Sequence, residues 1–314
     1  MNSFLRQFIS CFIWSRGLRH AVKNNLVKHY FKAKKHFNKY FKQEEKLKFR
    51  HNLSIVLIIK DEASYLQEWI EYHKLVGIDK FYIYDNESSD NIKEILKPYI
   101  KSKIVEYIFW PGKLQQKPAY NDAITKYKLD TKWMAFIDTD EFIVPISKKT
   151  IPEIINEIKP KYGLSIHWCH YGDNNHKVRT NGLVIERFTK RSYDNFGLNT
   201  IVKSIINPRA VYYMEPHNAC FIGNRSSIDE NGSKVTGSCS HNIKDISMNK
   251  IRINHYYCKS WAEYENKIKR GDVNRIVPLL YRSTFDGANR NDIEDPVMKK
   301  YVRIIKQKIK NDKN

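Results

Sequence analysis

The chain has 314 residues, 41% of them hydrophobic, enough for a sizeable core in one large domain or two small ones. Five scattered cysteines (Cys11, Cys169, Cys220, Cys239 and Cys258) lack any C-x-x-C spacing, which argues against a zinc site and a disulfide scaffold and fits a reducing compartment. The net charge of +21 sits at the ends: residues 1–50 carry +11 and residues 296–314 carry +6, against +4 for residues 51–295, which argues against a nucleic-acid enzyme with a basic body and for attachment to an anionic membrane surface.

No run of 18 apolar residues is present, so no transmembrane helix is expected. Phe8–Trp14 is the most apolar early run, but Ser10 and Cys11 interrupt it and no small-residue cleavage site follows, so a secretory signal is not expected either. Residues 3–23, with Phe4, Leu5, Phe8, Ile9 and Phe12 on one face, and the following wave from Leu26 to Phe41, with Lys28, Lys32, Lys35 and Lys39 opposite, read as two amphipathic helices with basic polar faces. Packing on the body or on a partner subunit and lying in a membrane interface are both open to them.

From His51 the rhythm becomes strand–helix. Leu53–Ile59 is a β-branched apolar run and predicts a buried strand; Ser64 is placed to cap a helix through Val76, which Gly77 closes. Lys80–Tyr84 predicts a second strand, and the polar turn Asp85–Asp90 leads into a helix through Leu96, ended by Pro98. Lys103–Ile108 is the third strand, Gln115–Leu129 the third helix and Trp133–Ile137 the fourth strand. This βαβαβαβ order is that of a doubly wound, mostly parallel α/β sheet flanked by helices. Beyond Pro145 the pattern predicts a helix at Ile151–Ile158, strands at Leu164–Trp168, Leu183–Phe188, Ile201–Ile206 and Val211–Met214, a helix at Trp261–Arg270 ended by Gly271, and a basic helix from Val297 to Lys310. With no internal repeat or low-complexity linker, the expected organisation is a basic helical segment 1–50, one domain 51–295 and a basic C-terminal helix 296–314.

The fourth strand releases three acids at once, Asp138, Asp140 and Glu141. With 17 Asp in the chain, about one Asp-x-Asp is expected by chance; its placement at the end of a covered strand gives it weight, because acids there are costly unless compensated. Side chains two apart on an extended segment point the same way, so Asp138 and Asp140 are expected to reach one hard cation together, Mg²⁺ or Mn²⁺, which also takes substrate phosphate oxygens. Glu62 follows the first strand and Asp85 and Asn86 the second; in a parallel sheet these ends share one edge with Asp138 and Asp140. Asp85 is suited to accept from a ribose hydroxyl or a base N–H, and Gln116, Lys117 and Asn121 are placed to face a diphosphate. Taken singly, each is equally a helix cap or a solvated turn residue.

The segments Ile59–Ile100, Trp110–Ile124, Trp133–Pro145, Val184–Phe188 and Asn254–Gly271, about two-thirds of the chain in span, together resemble glycosyltransferase family 92 and related family-2-like enzymes. That resemblance implies the GT-A fold and inverting transfer of a sugar, often galactose, from a nucleotide diphosphate donor, UDP-linked here, to a glycan or lipid-linked acceptor. It implies a metal pair at Asp138 and Asp140, nucleotide contacts at Lys60–Glu62 and Asp85, a further metal ligand at His255, and a donor or acceptor contact at His217. The acceptor hydroxyl needs a base, usually Asp or Glu. Trp168–Asp173 resembles a family W-x-x-F-G-S stretch from which Tyr171 and Asp173 depart; Asp173 is the candidate base, with Glu141 and Glu215 as rivals.

The expectation is therefore a Mn²⁺- or Mg²⁺-dependent glycosyltransferase acting at the cytoplasmic face of a membrane, in surface polysaccharide or lipid-linked glycan synthesis. The alternative is a non-catalytic protein that binds nucleic acid or an anionic surface through its basic ends, against which the acids at the sheet edge speak, since they repel phosphates unless a metal intervenes.

Overall fold

The computed structural model describes residues 47–223, 225–271 and 281–311. The two N-terminal amphipathic helices expected within residues 3–42 lie outside the described residues.

The first strand, β1 (His51–Ile59), sends alternate side chains to opposite faces. Leu53, Ile55, Leu57 and Ile59 enter one core, and Val56 and Ile58 enter another on the far side of the sheet. That is why the run has no polar alternation: a strand covered on both faces takes apolar residues on both, each worth about 1.5–3 kcal/mol of burial, and its one polar residue after Leu53, buried Ser54, bonds the Trp133 carbonyl. Then come α1 (Ala63–Leu75), β2 (Lys80–Asp85), α2 (Ile92–Lys101), β3 (Val105–Phe109), α3 (Gln116–Tyr127) and β4 (Thr131–Phe136). Strands β3, β2, β1 and β4 are adjacent in that order and parallel. The expected βαβαβαβ half is thus present.

The second half adds β5 (Glu141–Pro145), α4 (Ile151–Ile158), β6 (Gly163–His170), the single turn α5 (Val184–Arg187), β7 (Lys190–Arg191), β8 (Val202–Ile206), β9 (Val211–Met214), β10 (Ala219–Phe221), β11 (Ser227–Ile228), β12 (Lys234–Val235) and β13 (Ile251–His255). The chain then runs through α6 (Trp261–Arg270), α7 (Arg282–Ala288), β14 (Ile293–Glu294) and α8 (Lys299–Asn311). β8 joins the sheet antiparallel between β4 and β6. β13 runs parallel to β6 and antiparallel to β5, setting His255 opposite both His170 and Glu141. The whole is the central sheet flanked by helices expected of a GT-A enzyme. Residues 49–314 make one compact unit, in which α8 buries Tyr301 and Ile305 and sets the Tyr301 ring 5.0 Å from that of Tyr72 on α1.

Several local expectations are corrected. The cap of α1 is not Ser64: the Ala63 N–H is taken by Asp90 Oδ2 at 2.8 Å, from the loop after β2. Pro98 does not end α2 but lies inside it, where the carbonyl it leaves without an N–H, that of exposed Glu94, faces solvent. Leu183–Phe188 is not a strand. The buried Glu68 carboxylate accepts the N–H groups of Val184 (2.7 Å) and Ile185 (3.0 Å), turning the segment into a helical turn. β13, absent from the sequence expectation, is a full sheet member.

Candidate active site

Where β1 and β4 end, a cleft of about 1040 Å³ opens. Such a position, outside the carboxyl ends of parallel strands, is where open α/β sheets bind ligands. Of the residues expected at a site, Lys60, Glu62, Gln116, Lys117, Asp138, Asp140, His217 and His255 line it. So does Glu215, and the second half contributes Trp168, Tyr257, Lys267 and Arg270.

The aspartates reach the cleft differently from the expectation. The chain leaves extended geometry after Phe136, and Thr139 and Asp140 form a turn in which the Glu141 N–H donates to the Asp138 carbonyl at 3.1 Å. Strand alternation therefore does not align the two side chains, and each meets its own lysine. Asp138 Oδ2 accepts from Lys203 Nζ of β8 at 2.8 Å, and its Oδ1 accepts from Gln116 Nε2 at 3.1 Å. Asp140 Oδ2 accepts from Lys267 Nζ of α6 at 2.6 Å, and its Oδ1 lies 3.7 Å from His255 Nε2. Burial pushes the Asp140 carboxyl up, but the ammonium groups of Lys267, foremost, and Lys259 outweigh it and hold the group well below the usual carboxylate range.

Glu141 is fully buried beneath this turn. Its Oε2 accepts the Asp138 N–H at 2.8 Å and lies 3.5 Å from Lys203. Lys203 stays charged, with Asp138 and Glu141 raising it against burial. Glu141 is the second acid on one cation, and burial pushes it up to about 8.

The histidines are neutral. His255 is held well below its ordinary value, first by burial; its ring packs 4.2 Å from Trp168 and 5.0 Å from His170. His217 Nδ1 lies 3.3 Å from the Val202 carbonyl, which assigns the proton to Nδ1 and leaves Nε2 as the acceptor. Burial and then Lys203 lower it to about 4.

Two further pairs stand on the rim, Arg270 with Glu62 at 2.5 Å and Lys117 with Glu215 at 2.7 Å. Lys203, Lys267 and Arg270 were missed in the sequence. Lys203 had a signal, a lone cation inside the apolar run Ile201–Ile206, and so did Lys267 and Arg270, three apart on one helix face.

Four expected residues stand elsewhere. Asp85 is buried, and its carboxylate accepts from Tyr107 Oη (2.6 Å) and the Ser88 N–H (2.9 Å), holding the turn after β2 to β3 rather than a ribose. Asn86 donates to the Trp110 and Gly112 carbonyls, each at 2.8 Å, tying two loops together. Asn121 pairs with the backbone of Met214 in both directions, at 2.8 and 3.0 Å, and so joins α3 to β9. Asp173 does not line the cleft; it accepts from the Asn175 N–H (2.9 Å) and Asn291 Nδ2 (3.0 Å) in a surface loop. Short polar side chains satisfy nearby backbone in this way whenever a loop leaves donors unpaired.

Among the described residues no group of three or more His, Cys, Asp or Glu side chains could hold a metal. Asp140 and His255 nevertheless fit as two ligands. Their 3.7 Å separation is near the ~3 Å edge of an octahedral Mg²⁺ or Mn²⁺ shell whose other positions go to water and phosphate oxygens. Asp138, occupied on both oxygens, fits less well. His255 Nδ1 and Glu141 Oε1 are buried here with no hydrogen-bond partner among the described residues.

Comparison with known proteins bears on this cleft. A glycosyltransferase family 92 protein of Oryza sativa subsp. japonica is 28% identical over 138 residues, 43% of this chain and 23% of that protein. Galactan beta-1,4-galactosyltransferase GALS3 of Arabidopsis thaliana is 24% identical over 214 residues, 61% of this chain and 38% of that protein. The chain thus spans less than half the length of these relatives. Among solved structures, S. aureus TarS 1–349 superposes with a TM-score of 0.39 at 15% identity, over 58% of this chain and 59% of that one. The family model for glycosyltransferase family 92 matches residues 53–276, more than half of the 314, and takes in the strands, the cleft acids and the lysines described above. The chain belongs to glycosyltransferase family 92.

Proposed function

We propose that this chain transfers a sugar, galactose by its similarity to the galactan galactosyltransferases, from a UDP-linked donor to a glycan or lipid-linked hydroxyl, with inversion. The observation that carries the reading is the cleft itself: an acid and a histidine set for one cation, ringed by Lys60, Lys117, Lys267 and Arg270. Breaking a glycosyl–phosphate bond leaves a diphosphate with growing negative charge, and cations fixed in advance stabilise that charge where it develops. A divalent ion at Asp140 and His255 would add Lewis-acid polarisation of the diphosphate oxygens. Lys203 fixes Asp138 in place, and Gln116 orients it from the other side. Trp168, beside His217 and His255, supplies a flat apolar wall on which a sugar ring can lie.

For the acceptor's proton we assign Glu215. Of the three acids weighed from sequence it alone lines the cleft, since Asp173 sits in its loop and Glu141 beneath the turn. Lys117 Nζ, 2.7 Å from its Oε2, holds the carboxylate in place at the cleft.

The test is a thermal-shift series with UDP, UDP plus Mn²⁺ and single-stranded DNA, followed by UDP release from UDP-galactose. A metal-dependent rise with UDP and turnover of the sugar nucleotide support the reading; a rise with DNA alone overturns it. We also place the protein at an anionic membrane surface through its basic ends; among the described residues no helix is long and apolar enough to cross a membrane.

A further inference from the structure

The two aspartates of the turn are each held by a lysine, but the two lysines are not equivalent. Lys203 lies in β8 with a strand on either side, its side chain 1% exposed, and Asp138 and Glu141 are its two partners. Its ammonium is enclosed there between the two acids. Lys267 stands on the last turn of α6, its side chain 18% exposed and lining the cleft. Its Nζ is 2.6 Å from Asp140 and 4.2 Å from the centre of the Tyr257 ring, which faces the same cleft. A four-carbon stem of this kind moves its charge by several ångströms through rotamer changes alone.

We propose that Lys267 and a divalent cation compete for the Asp140 carboxylate, so that the cation enters together with a nucleotide diphosphate, onto which Lys267 then moves. The inference rests on the functional reading above and deepens it. A cation at Asp140 and His255 would sit within a few ångströms of an ammonium already on the other carboxylate oxygen, and like charges at that range oppose one another strongly in a buried site. A diphosphate removes the conflict. Its oxygens accept charge-assisted hydrogen bonds from the displaced ammonium, which already stands over the Tyr257 face. Lys267 is in this account a positioning residue that keeps the cation site closed until the donor arrives. The coupling is reciprocal: whatever the diphosphate adds to the cation's affinity, the cation adds to the diphosphate's.

The experiment counts bound Mn²⁺ by electron paramagnetic resonance, with and without UDP, and measures UDP affinity by calorimetry at saturating Mn²⁺. Wild type, Lys267→Met, Lys267→Gln and Asp140→Asn are compared, with circular dichroism to confirm folding. The expected result is that Lys267→Met binds Mn²⁺ alone about tenfold more tightly than wild type and UDP about tenfold more weakly, with Lys267→Gln between the two. If the Lys267 variants bind Mn²⁺ alone no better than wild type, the competition is refuted. A wild-type protein that holds Mn²⁺ alone as tightly as it does with UDP refutes it without any variant. If instead Asp140→Asn keeps wild-type Mn²⁺–UDP binding, it is the placement of the cation at Asp140, and so the functional reading itself, that fails.

Discussion

Glu263 is the residue through which the stability of this protein is most directly tied to its cleft. It is the third residue of α6, the helix that carries Lys267 and Arg270, and it is 6% exposed. Its carboxylate accepts both arms of Arg187 (2.9 and 2.8 Å), Ser260 Oγ (2.6 Å) and Tyr65 Oη (3.0 Å), fastening α6 to α5 and α1. Burial opposes ionisation, but Arg187 and Ser260 outweigh it and hold the group at about 2, below its ordinary value of 4.5. A folded-state value below the unfolded one means stability that is complete above pH 4.5 and lost as pH falls towards 2. That depression, allowing for partial solvent screening, corresponds to ~2–3 kcal/mol. Glu263→Gln keeps the shape, forfeits that contribution and leaves the buried Arg187 charge unpaired, for a total cost of about 3–5 kcal/mol at pH 7. In a domain of this size that lowers Tm by about 6–20 °C. Replacing the pair together, Arg187→Met with Glu263→Gln, recovers part of the loss, since no charge is then stranded. Urea unfolding at pH 7 and thermal unfolding from pH 6 to 2.5 measure both effects. A single variant within ~0.5 kcal/mol of wild type, or one whose acid profile keeps the full wild-type slope, would falsify the argument.

Asp140→Asn abolishes both Mn²⁺-dependent UDP binding and sugar transfer while circular dichroism still shows a folded protein, destabilised because the Lys267 charge loses its partner; a variant that turns over normally removes the metal assignment. Lys203→Met leaves the Asp138 carboxylate and the buried Glu141 carboxyl without their shared cation and lowers stability by about 3–5 kcal/mol in denaturant unfolding. Wild-type stability in that variant means that the buried pair is not formed in solution. Glu215→Gln lowers kcat by about 10²–10⁴ with KM for the donor nearly unchanged, and a variant that loses only donor affinity reassigns Glu215 to binding. Flotation with anionic vesicles separates full-length protein from residues 51–314: binding by the full chain alone places the attachment in the N-terminal segment, and equal binding by both removes that idea.

The first half of the fold was legible because its strands are covered on both faces. Apolar runs such as Leu53–Ile59 and Trp133–Ile137 cannot be amphipathic helices of that length, and the helices between them keep their stripes. The second half was harder for a physical reason. Its strands are short and take their pairing from distant partners, so that β13 exists because β5 and β6 flank it, not because Ile251–His255 has a strong local pattern. The Leu183–Phe188 helical turn depends likewise on a carboxylate more than a hundred residues away. In the site, acids at strand ends were visible and their directions were not. The turn at Thr139 and Asp140 decides where Asp140 points, and Asp85 and Asn86 look identical in sequence to ligand-binding residues although the Tyr107 hydroxyl, a loop N–H and two loop carbonyls engage them.

What the sequence hid most completely was the pairing of charges, and that pairing bears on what the cleft can hold. Asp138 meets Lys203, Asp140 meets Lys267, Glu62 meets Arg270 and Glu215 meets Lys117. In each pair the acid, with Glu215, belongs to the sheet edge or to the loop after β9, and the cation comes from a different element. A cleft in which most charges are matched carries little net field, so it gives a bare polyanion such as single-stranded nucleic acid little general attraction, and a phosphate reaching Lys117, Lys203, Lys267 or Arg270 would have to break an existing ion pair before gaining one. A divalent cation with a diphosphate meets no such obstacle. In the exchange proposed for Asp140 and Lys267, the cation would take the acid as the diphosphate takes its former partner, and the sum of charge in the cleft would change little while two pairs are exchanged for two others. Exchange of this kind costs less desolvation than delivering one unmatched charge to a buried site, and it selects for a ligand that brings both signs at once, as a metal-bound nucleotide sugar does and nucleic acid without its counterions does not.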